Sequence, residues 1–162
     1  MALTQDILAT YRGPARVVGR FLSQGRNEVR ALLFILIAGL LIFVAQAPYQ
    51  ARAAELTPEG PLAVRLYWAG LLWVFLFPIL LYAFAAVIWA LTRLAGRKLS
   101  GYAVRFTLFW AVLASTPIVL LMGLVAGFIG PGIELQSVTI VWLCVFMWFW
   151  ISGLLTADRA AP

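Results

Sequence analysis

Four stretches of this chain run for 18 to 27 residues without a charged side chain. They are ALLFILIAGLLIFVAQAP (31–48), LYWAGLLWVFLFPILLYAFAAVIWALT (66–92), FTLFWAVLASTPIVLLMGLVAGFI (106–129) and VTIVWLCVFMWFWISGLL (138–155). Hydrocarbon offers no water to satisfy a free N–H or C=O, so a backbone crosses it only as a helix or within a closed barrel. A crossing helix needs roughly 20 apolar residues, whereas a barrel strand is about 10 residues of alternating polarity. Runs this long and unbroken are therefore helices. The expected fold class is all-α, an integral membrane four-helix bundle, and its 27-residue second run must tilt, bend or protrude. Composition agrees, with 64% hydrophobic and 11% charged residues against about 45–50% and about 25% in soluble domains.

The links between runs are short. Residues 49–65 read as a first loop with Pro58, Gly60 and Pro61 as breakers, residues 93–105 as a second, and Gly130-Pro131-Gly132 as a tight third turn. Short links join antiparallel neighbours. The chain then divides into an N-terminal segment (1–30), a bundle (31–156) and a tail (157–162).

Basic residues orient such a bundle, because loops rich in Lys and Arg stay in the cytoplasm. Arg12, Arg16, Arg20, Arg26 and Arg30 precede the first run. Arg93, Arg97, Lys98 and Arg105 lie between the second and third, and Arg159 follows the fourth. The other side has only Arg52 and Arg65, beside Glu55, Glu59 and Glu134. Both termini are expected in the cytoplasm. The first run resembles a signal peptide, with Ala45-Gln46-Ala47 as a cleavage site, but 30 residues precede it, far more than a signal peptide's basic region contains, so it is read as an uncleaved anchor. The same placement of arginines explains the net charge of +6 without a nucleic-acid partner.

The N-terminal segment carries the clearest pattern outside the spans. Pro14 suits a first helical turn and Gly25 an end. Between them Arg16 and Arg20, with Arg12 just before, share one face, and Val17, Val18, Phe21 and Leu22 fill the opposite arc. Leu3, Ile7 and Tyr11 form a further apolar stripe at i, i+4, i+8. This is the pattern of an N-terminal amphipathic interfacial helix, its arginines toward anionic head groups. The alternative is a helix packed on the cytoplasmic face of the bundle with solvated arginines.

Within the spans, Pro78 and Pro117 lie near mid-run and predict helix bends. Ser115 and Thr116 sit beside Pro117, where they can bond backbone carbonyls. Gly123 and Gly127 form a small-xxx-small helix-packing face whose partner lies in this bundle or in another protein. Gln46 reads as a packing or interfacial residue, and Trp68, Trp148 and Trp150 as anchors in an aromatic belt. No ionisable group lies inside a span, where a transporter would be expected to hold one. The chain has no histidine and a single cysteine, Cys144. No phosphate loop, metal cluster or nucleophile with a base is legible, so no enzymatic activity, metal or cofactor is expected.

Two features carry a family resemblance: Gly13-Pro14 in the basic segment, and Gly101-Tyr102 opening GYAVRFTLFWAVLASTPIVLLMGLVAGF with its mid-helix proline. The layout resembles the bacterial branch of the YIP (Ypt/Rab-interacting protein) family. That resemblance implies a multi-pass protein of a bacterial inner (plasma) membrane, acting as an adaptor. The expected role is an accessory or scaffolding subunit, with membrane lipids and other integral membrane proteins, or further copies of itself, as partners. A small transporter or channel subunit, and a lipid-binding or curvature-sensing protein, are the alternatives.

Overall fold

The computed structural model describes residues 3–56 and 61–160. Two short helices, α1 (Leu3–Arg12) and α2 (Pro14–Ser23), precede α3 (Glu28–Leu56). Next come α4 (Leu62–Gly70), a π-helical stretch (Leu71–Leu76) and α5 (Phe77–Leu94), then α6 (Gly101–Phe128) and α7 (Ile133–Arg159). Among the described residues there is no strand. Helices α3, α4 through α5, α6 and α7 are each long and apolar enough to cross a membrane, so the multi-pass all-α architecture stands. Pro58 and Gly60, expected as loop breakers, lie outside the described residues, as does the end of the expected tail.

Local chemistry explains most of the helix ends. Asn27 starts α3, its side chain accepting the Arg30 backbone N–H at 2.9 Å, and Ser100 starts α6, accepting from Ala103 at 3.1 Å. Pro14 occupies the first turn of α2 as expected. Gly25 follows α2 with φ +85° and Gly130 follows α6 with φ +99°, left-handed values that favour glycine.

The first span is longer than its apolar run. Helix α3 passes through Pro48 and ends at Leu56, over residues expected as loop. Pro48 removes one N–H, but Gln50-Ala51-Arg52-Ala53-Ala54-Glu55-Leu56 are all strong helix formers and carry the helix onward. The second span continues for 33 residues, Leu62–Leu94. Pro78 cannot donate to the Val74 carbonyl and its ring would press on it. The chain relieves this by widening the preceding turns, so that Phe77 N–H reaches back five residues to the Leu72 carbonyl. The expected irregularity at Pro78 is thus a π-helical stretch before it. Pro117 lies inside a continuous α6.

Helix α6 is the centre of the molecule. Of its most apolar stretch 61% is buried inside the protein, against 39% for α3 and 11% for each of the other two spans. From Tyr102 to Thr116 every side chain but Arg105 is buried. Glycines bring α3 against it. A Cβ on Gly123 would fall well inside contact distance of the Ala45 carbonyl, and one on Gly127 would collide with Pro48. The small-residue face therefore packs on α3 of the same chain. Gly39 plays the same part on the other side of α3, where a Cβ would collide with the Trp73 carbonyl of the π-helical stretch.

Ion pairs and capping contacts establish the antiparallel order. Arg105 pairs with Glu28 at 2.7 Å, and Arg97 with Asp158, joining the starts of α3 and α6 to the end of α7. At the opposite end Arg52 donates to the Gly127 and Phe128 carbonyls at 3.2 and 3.1 Å, capping α6. The starts of α3 and α6 and the end of α7 accordingly lie at one end of the bundle, here called the basic end.

Replacing Gly123 by leucine should destabilise the bundle by about 1–3 kcal/mol or more, since backbone and not a flexible side chain occupies the space. Leu124→Ala, on the exposed side of α6, should cost much less. Denaturant titration in mixed micelles, followed by tryptophan fluorescence, measures both.

Candidate functional site

The N-terminal segment is two helices, not one. Gly13 separates them, and they fold back on each other: Asp6 and Arg20, seven residues either side of Gly13, form an ion pair. Asp6 is 5% exposed, the only acid in the first 27 residues. The Thr10 hydroxyl donates to the Asp6 carbonyl at 2.8 Å, and itself accepts from the Trp110 indole N–H at 3.2 Å. That last bond pins the hairpin to the first half of α6.

The hairpin stands alongside the bundle. Tyr11 meets Phe149 edge-to-face at 5.0 Å. Further along α2, Val18 approaches Gly153 and Gly19 approaches Thr156. Leu22 then packs on the cluster that contains Ala157. Partners climb α7 as the chain climbs α2, so the two run parallel with Gly13 at the inner end. Gly153 is where α2, α6 and α7 converge, since a Cβ there would meet Thr107 at 3.2 Å and Val18 at 3.6 Å.

Phe21 closes the seat. Its ring lies 5.8 Å from Phe34, 5.6 Å from Phe106 and 4.9 Å from Trp110, an aromatic cluster from three helices. Arg30 lies over Phe21 and Phe106, at 5.1 and 5.6 Å, and donates to the Phe21 carbonyl at 3.1 Å. A cation at the end of α2 adds a second donor to the Phe21 carbonyl, which also accepts from the Gln24 N–H, and complements the helix dipole.

The expected site residues therefore separate into two sets. Val17, Val18 and Phe21, expected at the lipid surface, are 4%, 1% and 7% exposed and lie inside the protein; Leu22 is half-buried against the bundle. The apolar arc finds α6 and α7, whose small residues leave room for it. Arg12, Arg16 and Arg20 come together around one notch between α1 and α2, although Gly13 breaks the helix that was expected to align them. Arg12 and Arg16 are exposed, and Arg20 is held by Asp6.

The polar residues of the spans are engaged. Ser115 donates to the Val112 carbonyl at 2.9 Å and Thr116 to Leu113 at 2.8 Å, as expected near Pro117. Ser115 also accepts from the Trp142 indole at 3.2 Å, and the two hydroxyl residues are 0% and 1% exposed. Gln46 and Trp68 share a shallow cavity at the opposite end with Arg65 and Trp73. Trp68 and Trp148 are exposed and Trp150 is half-buried, while Trp110 is a core residue. Asp6, Thr10, Arg30, Gly39, Trp110 and Gly153 had no reading of their own. An isolated glycine in an apolar run signals close approach, which could have found Gly39 and Gly153; the others depend on the hairpin. Among the described residues no three metal-ligating side chains converge.

No family model matches this chain, and neither a curated protein nor a solved structure matches it.

Asp6→Asn removes the carboxylate that neutralises Arg20 in its half-buried position. The hairpin should loosen, with faster hydrogen–deuterium exchange over residues 3–23 and little change in α6. Thr10→Val should weaken the same seat by about 1 kcal/mol, the worth of one hydrogen bond, read as a fluorescence change from Trp110.

Proposed function

We propose that this protein is a non-enzymatic accessory or scaffolding subunit of a bacterial inner membrane, with both termini cytoplasmic, that packs against other integral membrane proteins or further copies of itself. The observation that carries the reading is the state of the polar groups beside Pro117 in α6. Ser115 and Thr116 are buried and bonded to their own helix, so they offer nothing to a solute. What can engage a partner is the outside of the molecule.

That outside is broad. Helices α5 and α7 keep at least half of their apolar side chains exposed, among them Ile79, Phe84, Val87 and Leu91 on α5 and Ile140, Leu143, Trp148 and Ile151 on α7. In a bilayer these side chains meet acyl chains or another helix, and association is decided by packing and polar contacts, not by hydrophobicity. A place in the bacterial branch of the YIP family belongs to the same proposal and supplies the adaptor role. The transporter alternative needs a wetted path at Ser115 and Thr116, and their burial weighs against it.

Two measurements test this. Crosslinking in the native membrane followed by purification in gentle detergent should recover a larger species; a lone monomer without crosslinked product overturns the reading. For orientation, a Cys144→Ala background with Ser23→Cys or Gln136→Cys should be labelled by a membrane-impermeant maleimide from outside only at position 136. Labelling at position 23 instead reverses the topology.

A further inference from the structure

The hairpin brings cations deeper than a surface helix would. Thr10 touches Trp110, nine residues into α6, and Tyr11 touches Phe149, ten residues before the end of α7. At 1.5 Å per residue the vertex of the hairpin lies about 13–15 Å inward from those helix ends. Measured from the ends of the apolar runs, at Phe106 and Leu155, it is still about 6–9 Å inside. Arg12 and Arg16 flank this vertex, exposed, with no acid of the described residues paired to them. The nearest carboxylate, Asp6, is engaged by Arg20.

An arginine at such a depth is costly unless its guanidinium reaches water or an anion. Its stem is long enough to lie along apolar surface while the head group rises toward the interface. The notch supplies that surface. It is a cavity of about 690 Å³ between α1 and α2, with Leu8, Ala9 and Val17 as apolar lining and Arg12, Arg16 and Arg20 around it. Leu8 is 69% exposed and faces outward from the protein. Tyr11 lines the same notch, with its hydroxyl buried and lacking a hydrogen-bond partner. Burial pushes the Tyr11 phenol up, so it stays protonated and remains a donor. Apolar lining beside two exposed guanidiniums matches an amphiphile with a phosphate head and an acyl chain.

We propose that the notch between α1 and α2 binds an anionic phospholipid of the leaflet at the basic end, with Arg12 and Arg16 on its phosphate and an acyl chain against Leu8. The site is independent of the packing role above. The apolar lining selects a lipid over a soluble phosphate, because only a lipid brings an acyl chain to the exposed Leu8 beside the guanidiniums.

The test uses the full-length protein in nanodiscs of equal phosphatidylglycerol and phosphatidylcholine, with retained lipid counted by native mass spectrometry after mild release. The protein should retain phosphatidylglycerol preferentially. Arg12→Gln with Arg16→Gln should weaken that binding about 30-fold, the factor expected for two interfacial arginines. Arg93→Gln with Arg159→Gln, of equal net charge at the same end, should leave it intact, and Arg12→Lys with Arg16→Lys should keep most of it. Trp110 fluorescence checks that the hairpin stays seated in each variant. Equal retention of both lipids, unchanged retention in the first variant, or equal loss in the first and second, overturns the proposal. Displacement of the retained lipid by inorganic phosphate also overturns it, by assigning the notch to a soluble anion.

Discussion

The close approach of α3 to α6 is the contact on which the rest of the molecule is built. In a bilayer, helices gain little from hiding apolar surface from one another, because lipid is as apolar as leucine. What holds them is dispersion between surfaces that fit. Gly123 and Gly127 let the α6 backbone come up to the Ala45 carbonyl and Pro48 of α3, and Gly39 lets the π-helical stretch of the second span come to α3 from the other side. Three glycines thus set the spacing of three spans. With α3 and α6 that close, the cytoplasm-expected halves of α3, α6 and α7 leave a recess lined by Phe34, Phe106, Trp110 and Phe149, and the N-terminal hairpin fills it.

The hairpin shows how polar groups are accommodated at such a place. A buried carboxylate is tolerated only when paired, and Asp6 finds Arg20 seven residues across the vertex. An indole N–H buried in a membrane helix needs an acceptor, and Trp110 has Thr10. The Phe21 carbonyl near the end of α2 accepts from the Gln24 N–H and takes a second donor from Arg30 of the next helix. Each satisfaction joins two helices, and the bond between Thr10 and Trp110 spans 100 residues. The segment therefore belongs to the bundle and is not an appendage on the membrane surface, even though its apolar face reads as a lipid face when taken alone.

Much of the architecture was legible because membrane helices announce themselves by length and lack of charge. The four spans, the left-handed Gly25, the turn at Gly130 and the back-bonding of Ser115 and Thr116 follow from local chemistry. The bounds at Pro48 and Pro78 were less legible. The first span was read as ending at Pro48 and Pro78 was read as a bend, but an alanine-rich run carried the first helix onward and a widened turn took up the second. The apolar arc of α2 was visible as amphipathic, yet amphipathicity does not say whether lipid or protein covers the apolar side. Val17, Val18 and Phe21 are chemically suited to both.

The sequence by itself determined that this chain crosses a membrane as helices, how many times, and which loops carry the basic charge, because lipid imposes those rules residue by residue. Only the tertiary structure decided where Gly123 and Gly127 find their partner, that Trp110 is core and not belt, and that Arg12, Arg16 and Arg20 surround one notch on an inserted hairpin. Those outcomes depend on a single break at Gly13 and on contacts about 100 residues apart, such as Thr10 with Trp110. No local pattern encodes a distance between two helices; packing does.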